Sequence, residues 1–349
     1  MGSKSLTHQS RPKSLSFEAF SRTLRQSSGV PSSVTSGIPQ TVYITLYSKK
    51  DLNPEQRKQY GIEFPVPGSI LYPDGTDHLA DVDWETISFE DFYHRLDKKE
   101  VFKTGLPNQY GIMTRVEEYF SQGKDVLVIT LSSGMSGTYS AFVSMKDELE
   151  GKFPGRKLRV VDSRRYSGGI SILCVLASLN RDKGMDIEEN YKFLEEKKLH
   201  MHQVGILDNL FFLHRSGRIS KTKAFFGTMA GVKPMADFSN ETGMPCVLAN
   251  ARGYKASYRM AEEFMKTLIS KEPGQVIVVV HSIREEQWQE FQNIAHRVAP
   301  EATIIPCRMG QSNGVNVGPG LVAAFFFSDT IVSKDCEEER KLMTSILSK

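Results

Sequence analysis

The chain has 349 residues, a formal net charge of +3, 40% apolar residues and 24% charged ones. That length allows one large domain or two ordinary ones, and the composition is that of a soluble globular protein. The charge is too small to argue for nucleic acid as a partner. No apolar run approaches the roughly 18 residues of a membrane-spanning helix; the longest, Val276–Val280 and Leu321–Phe327, are strand-sized.

Residues 1–37 are Ser- and Thr-rich and basic, with Glu18 as their only acid. They read as a flexible or loosely docked extension. Phe17, Phe20 and Leu24 fit one helical stripe, and a transit peptide shares the composition. Met1-Gly2 suggests myristoylation, but Leu6 stands where Ser or Thr is wanted. Folded structure is predicted from Thr41, where a β-branched and aromatic run to Tyr47 reads as a strand. Asn53-Pro54 opens a helix that ends near Gly61. Pro73-Asp74-Gly75 is a turn, Ser88 caps a helix carrying Phe89, Phe92, Tyr93 and Leu96, and Thr104–Asn108 reads as a loop. A helix over Ile112–Phe120 follows.

Val126–Leu131 is a short apolar run, read as a buried parallel strand. Ser132, Ser133, Gly134, Ser136, Gly137 and Thr138 come directly after it, and a helix pattern then runs to about Leu149. Backbone N–H groups and hydroxyls at a helix N-terminus favour negative charge, so this turn is either a cradle for a carboxylate or phosphate or an ordinary capped turn. Arg159–Asp162 repeats the pattern, with Ser163–Gly169 turning into an apolar helix over Ile170–Leu179. Both turns are expected at the carboxyl edge of one parallel sheet, where ligands of α/β proteins bind. Asp186–Lys197 is a charged surface helix.

The second half alternates strand and helix. Strands are predicted at Val204–Leu207, Val276–His281, Thr303–Pro306 and Leu321–Phe327, with Lys233–Ala236 extended, a hairpin over Val247–Ala249 and the stretch to Tyr254, and helices over Tyr258–Ile269 and Glu285–Val298. Gly314–Gly320 reads as a turn and 337–347 as a terminal helix. The class is α/β.

No nucleophile triad, Walker loop, paired acids or metal signature emerges. The four cysteines, Cys174, Cys246, Cys307 and Cys336, form no CxxC pair; neither a zinc site nor a disulfide framework is suggested, and reduced thiols in the cytoplasm are expected. His281 reads as a core or capped histidine; His200, His202 and His214 are expected at the surface. Arg218, in the turn His214–Ser220, is either a bidentate partner for a carboxylate or a surface residue capping a helix. Apolar Phe225, Phe226 and Met229 follow it. One cation beside apolar bulk suits a pocket for a long-chain acid.

Five ordered pieces carry a resemblance: Ser132–Tyr139; Val161-Asp162-Ser163-Arg164; Ser216–Ser220 with Lys233-Pro234; Arg252-Gly253; and Gly318-Pro319-Gly320. Over about residues 41–330 the chain resembles the DegV family, the fatty-acid-binding fold that serves bacterial fatty acid kinase. The resemblance implies two α/β domains, 38–163 and 164–335, followed by a C-terminal helix over 336–349. It implies a long-chain fatty acid in a tunnel between the domains, no cofactor, and a carboxylate presented at the mouth to a kinase subunit. The protein would be a carrier rather than an enzyme, in the cytoplasm, a monomer or weak dimer. Thr104, Ser132, Ser133 and Arg218 match the family's carboxylate-binding positions, and Asn316 stands where a His is expected. Gly134, Ser136, Gly137, Thr138, Ser163, Phe225, Phe226 and Met229 would line the pocket. Asn donates a hydrogen bond but carries no charge, which bears on phosphate transfer more than on acid binding. The alternatives are a phosphoryl- or acyl-transfer enzyme using the Ser-rich turn as an anion hole, and a diverged regulator of the same fold.

Overall fold

The computed structural model describes residues 41–45, 51–63, 67–81, 83–219 and 231–348. The extension 1–37 and the apolar residues Phe225, Phe226 and Met229 lie outside them. In chain order the first half runs β1 (Thr41–Thr45), α1 (Pro54–Tyr60), β2 (Ile62–Glu63), β3 (Ser69–Leu71), β4 (Asp77–Leu79), α2 (Phe89–Asp97), β5 (Lys103–Gly105), α3 (Gln109–Ser121), β6 (Asp125–Thr130), α4 (Thr138–Lys152), β7 (Leu158–Asp162), α5 (Gly168–Asp182) and α6 (Ile187–Lys197). The second runs β8 (Met201–Leu207), α7 (Phe211–Arg215), β9 (Val232–Phe238), β10 (Pro245–Arg252), α8 (Gly253–Leu268), β11 (Val276–His281), α9 (Glu285–Val298), β12 (Thr303–Arg308), α10 (Gln311–Val317), β13 (Leu321–Phe327) and α11 (Glu337–Leu347).

The class is α/β. A parallel sheet in the order β2-β1-β6-β7 serves the first half. A mixed sheet in the order β10-β9-β8-β13-β11-β12 serves the second, with only β11 and β12 parallel in it. β6 is buried along its whole length, as a central strand covered on both faces must be. α5 is apolar nearly all round, which fits a helix enclosed on all sides: it touches β1 and β6 of one sheet and β11 and β13 of the other. Gly168 permits that approach, because a Cβ there would lie 2.6 Å from the Phe325 ring and 2.9 Å from Val278.

Local chemistry sets the helix starts. Asn53 and Gln56 form a capping box with Pro54 behind the cap, Ser88 Oγ accepts from Asp91 N at 3.0 Å, and Asp186 and Glu189 form a second box.

Three expectations are corrected. Part of Thr104–Asn108 is strand, not loop: β5 joins β3 and β4 in a small antiparallel sheet, with Thr104 opposite Ile70. The polar, glycine-rich stretch before Gly318 is mostly the helix α10. His202 is wholly buried rather than superficial. Its Nδ1 lies 2.9 Å from Asp237 Oδ2, and its ring stacks on Phe326; a carboxylate partner makes the burial tolerable.

Candidate functional site

Two strand-to-helix turns meet at the carboxyl edge of the parallel sheet. In the one after β6, Ser133 N donates to Asp162 Oδ1 at 3.1 Å, and Arg164 N donates to the same oxygen at 3.1 Å. Gly134 N donates to Ser132 Oγ at 3.2 Å, while that hydroxyl donates to Gly243 O at 2.6 Å. The negative charge that such a turn favours is therefore supplied from within the chain, by Asp162 at the end of the neighbouring strand. Gly134 is required by packing: a Cβ would lie 2.0 Å from Thr242 O in the turn between β9 and β10.

The next residues of the same turn face open space. A cavity of about 320 Å³ is lined there by Leu131, Met135, Ser136 and Gly137. Thr104, Gly105 and Leu106 close one side of it; Ser312, Asn313, Asn316 and Val317 of α10 close another, and Arg218 completes the wall. Three supports hold α10 in place. Gly314 lies against Tyr93, whose hydroxyl a Cβ would approach to 2.5 Å. That hydroxyl donates to Met309 O at 2.9 Å. Asp81 N donates to Gln311 Oε1 at 2.8 Å.

Among the described residues Arg218 is the charged one lining the cavity, and no acid accompanies it there. Its N–H donates to Leu213 O at 2.8 Å, and its Nη1 donates to Ser216 O. Among the described residues no carboxylate lies within 4 Å of it. Gly217, at φ +72°, makes the tight turn that brings the side chain round. Ser216 Oγ donates to Asn316 O at 3.4 Å and ties this turn to α10. Asn316 Nδ2 donates to Ser312 O at 2.9 Å. Ser136 Oγ lies 2.9 Å from Thr138 Oγ1 and accepts from Thr138 N at 3.3 Å, which holds the turn just before α4 at the cavity wall. A guanidinium, three hydroxyls, two asparagine amides and a helix N-terminus, with no acid among the described lining residues, make an anion site with some apolar wall.

The expected residues thus separate. Thr104, Ser136, Gly137, Arg218 and Asn316 come together at the cavity. Ser132, Ser133, Gly134 and Thr138 support the wall from behind, without lining it. Ser163 is wholly buried, and its hydroxyl donates to Arg165 O at 2.9 Å. Ser312 and Asn313 were not anticipated. Their signal was the polar run Gly310–Asn316 after a predicted strand, a third copy of the strand–turn–helix pattern.

The architecture and this cavity define an α/β protein with a small polar cavity at the sheet edge, lined by Arg218. The family model described as "Uncharacterised protein, DegV family" matches residues 41–329, and the chain belongs to that family. A DegV domain-containing protein of Clostridium perfringens is 30% identical over 263 residues, covering 75% of this chain and 90% of that one. The fold is shared with DegV of Bacillus subtilis, a fatty acid binding protein, at TM-score 0.70 and 22% identity over 84% of this chain and all of that one. It is shared too with a DegV family protein of Eubacterium eligens loaded with heptadecanoic acid, at TM-score 0.70 and 18% identity over 83% of this chain and all of that one.

Among the described residues no helix is long and apolar enough to cross a membrane, and no group of three or more His, Cys, Asp or Glu side chains is placed to hold a metal ion.

Proposed function

We infer that this protein binds a long-chain fatty acid and holds its carboxylate in the cavity. The observation that carries this reading is Arg218: a guanidinium with no carboxylate partner among the described residues, facing hydroxyls and amides in a wall without an acid. A fatty acid supplies the missing charge, and Leu106, Leu131, Met135 and Val317 offer the first apolar contacts to its chain. Two arms of the charge-assisted pairing come from Arg218; Thr104, Ser136 and Asn316 are the neutral partners. Solved members of the family carry such acids, heptadecanoic acid among them. The chain then runs between two α/β domains, 38–163 and 164–335. The protein is a carrier rather than a catalyst, working in the cytoplasm as a monomer or weak dimer, and it offers the carboxylate to a partner kinase. Asn316 donates a hydrogen bond to that carboxylate and adds no charge.

Mass spectrometry of the freshly purified, then denatured, protein tests the binding. A C14–C18 acid is expected at about one per chain, and palmitate added to stripped protein should restore it. Well-folded protein that neither carries nor takes up such an acid would end this reading. Presentation to a kinase is tested separately, by adding a fatty acid kinase subunit and ATP to loaded protein and assaying acyl phosphate. Failure there with binding intact would leave a carrier without that partner.

A further inference from the structure

On the face of the second sheet turned away from the cavity, two of the four cysteines meet. Cys246 is the second residue of β10, half-buried, opposite Asp237 on β9. Cys336 ends the short turn Lys334–Cys336 before α11 and is wholly buried. That turn and α11 pack on β10, and Cys246 packs against the buried cluster to which Cys336 belongs. Asp335 and Cys336 stand at φ +51° and +56°, both in the left-handed region that side chains disfavour. Two consecutive residues in that region are held there only by surrounding packing, and the result is to hold Cys336 against Cys246.

The pair is asymmetric. The hydrogen bond from Cys336 pulls the Cys246 thiol below its usual range; burial opposes this, Arg340 assists, and Asp237 and Asp335 oppose. The bond to Cys246 and burial both push the Cys336 thiol up. Cys246 is thus the more acidic and the more accessible of the two, as an attacking thiol must be. Cys174 and Cys307 are each wholly buried with the thiol pushed up by burial.

Cys246 also stands at the foot of the turn that supports the cavity wall. Gly243 O, three residues before it, accepts from Ser132 Oγ at 2.6 Å, and Thr242 O packs on Gly134. Lys334, two residues before Cys336, reaches Glu241 of the same turn at 3.9 Å.

We propose that Cys246 and Cys336 are a peroxide-reactive pair that closes to a reversible intrachain disulfide, clamping α11 to the 239–244 turn behind the cavity. The Cys246 thiolate attacks one oxygen of hydrogen peroxide. The O–O bond breaks, and the departing hydroxide takes up a proton to leave as water. Cys246 becomes the sulfenic acid. The Cys336 sulfur then displaces the sulfenic oxygen and loses its proton; the S–S bond forms and a second water leaves. Two thiols are oxidised by two electrons and one peroxide is reduced to two waters. A dithiol reductant reverses the bond.

The full chain treated with hydrogen peroxide and mapped under non-reducing conditions should give one cross-linked peptide pair, joining Cys246 to Cys336 and lost on adding dithiothreitol, with Cys174 and Cys307 still alkylatable after denaturation. The Cys336→Ser variant should accumulate a dimedone adduct on Cys246, and the Cys246→Ser variant should leave Cys336 unreacted. Amide exchange in α11 and in residues 239–244 should slow by at least about tenfold on oxidation. Cys246 and Cys336 both surviving as thiols in wild-type protein, or random cross-links among all four cysteines, would overturn the pair. A disulfide that leaves amide exchange unchanged in both segments would overturn the clamp.

Discussion

The turn after β6 and the turn after β7 are near twins in composition, and the structure uses them in opposite ways. Both leave the carboxyl end of a strand in one parallel sheet, both are rich in Ser and Gly, and both open a helix of 15 residues. They are also joined, Ser132 N donating to Arg165 O at 2.9 Å. The second is closed over by the other sheet. Ser163 and Arg165 are wholly buried; the guanidinium donates to Arg164 O at 2.9 Å and to Met201 O. Burial pulls this guanidinium below its usual range, with Asp237 acting against that. The first turn has no such cover on its far side, and there Met135, Ser136 and Gly137 face the cavity. Hydroxyl-rich turns mark a geometry; the site is where such a turn borders the cavity that Arg218 lines.

Two arginines give the largest test of that contrast. Arg165→Ala leaves one buried and one part-buried carbonyl without their donor, and a hole where a long side chain lay. It should cost about 4 kcal/mol of unfolding free energy, read in urea melts. A loss under about 1 kcal/mol would remove the second turn from the list of struts. Arg218→Ala should do the converse. Stability should move by less than about 0.5 kcal/mol, while the Kd for palmitate rises about ten- to hundredfold, the range of a lost charge-assisted hydrogen bond. If both variants melt early and both bind normally, the two turns do not differ in use.

Histidine titration sharpens the same division. His281 ends β11 wholly buried, stacked at 4.5 Å on Trp288. Its Nδ1 accepts from Arg284 N at 3.1 Å, and Glu285 Oε2 lies 3.5 Å from Nε2. Burial, helped by Arg308, pushes its pKa down to about 3. The unfolded chain takes up a proton near pH 6.5 that the folded chain refuses, so this contribution to stability is complete above pH 6.5 and is lost as pH falls toward 3. Between pH 7 and pH 5 the loss is about 2 kcal/mol. His281→Asn keeps an acceptor for Arg284 N and should flatten that slope. The acid limb therefore belongs to the fold, through this buried imidazole. An unchanged slope in the variant would show that another group carries it.

Much of this was legible in the sequence because the physics was local. The run Val126–Leu131 is apolar enough to be only a covered strand, Asn53-Pro54 and Ser88 are caps, and Pro73-Asp74-Gly75 is a turn wherever it occurs. Arg218 stood out because it sits in a Gly turn beside a Phe- and Met-rich segment. What stayed hidden depends on distant partners. Ser132 looked like a ligand donor until Gly243 O was brought against its hydroxyl from 111 residues away, and the Ser133 N–H is taken by Asp162, 29 residues on. β5 has three residues and no strand pattern of its own; pairing with β3 makes it a strand. α10, Gln-Ser-Asn-Gly-Val-Asn-Val, has weak helix formers and two polar amides facing the cavity, and its helicity comes from packing on α2. His202 looked superficial because Asp237, which permits its burial, lies 35 residues on.

The smallest expected effect separates two hydroxyls within one turn, four residues apart. Ser132 Oγ is wholly buried and donates to Gly243 O, so Ser132→Ala strands a buried carbonyl and should cost about 1–2 kcal/mol of stability with the palmitate Kd unchanged. Ser136 Oγ stands at the cavity wall and also accepts from Thr138 N. Ser136→Ala should cost about 1 kcal/mol of stability through that local hydrogen bond and, in addition, weaken palmitate about two- to tenfold, the worth of one neutral hydrogen bond. The ratio of affinity loss to stability loss is therefore near zero at 132 and clearly positive at 136. Equal ratios at the two positions would mean that the whole turn moves as one piece when the ligand enters, and that the division drawn here between wall and support fails at its finest scale.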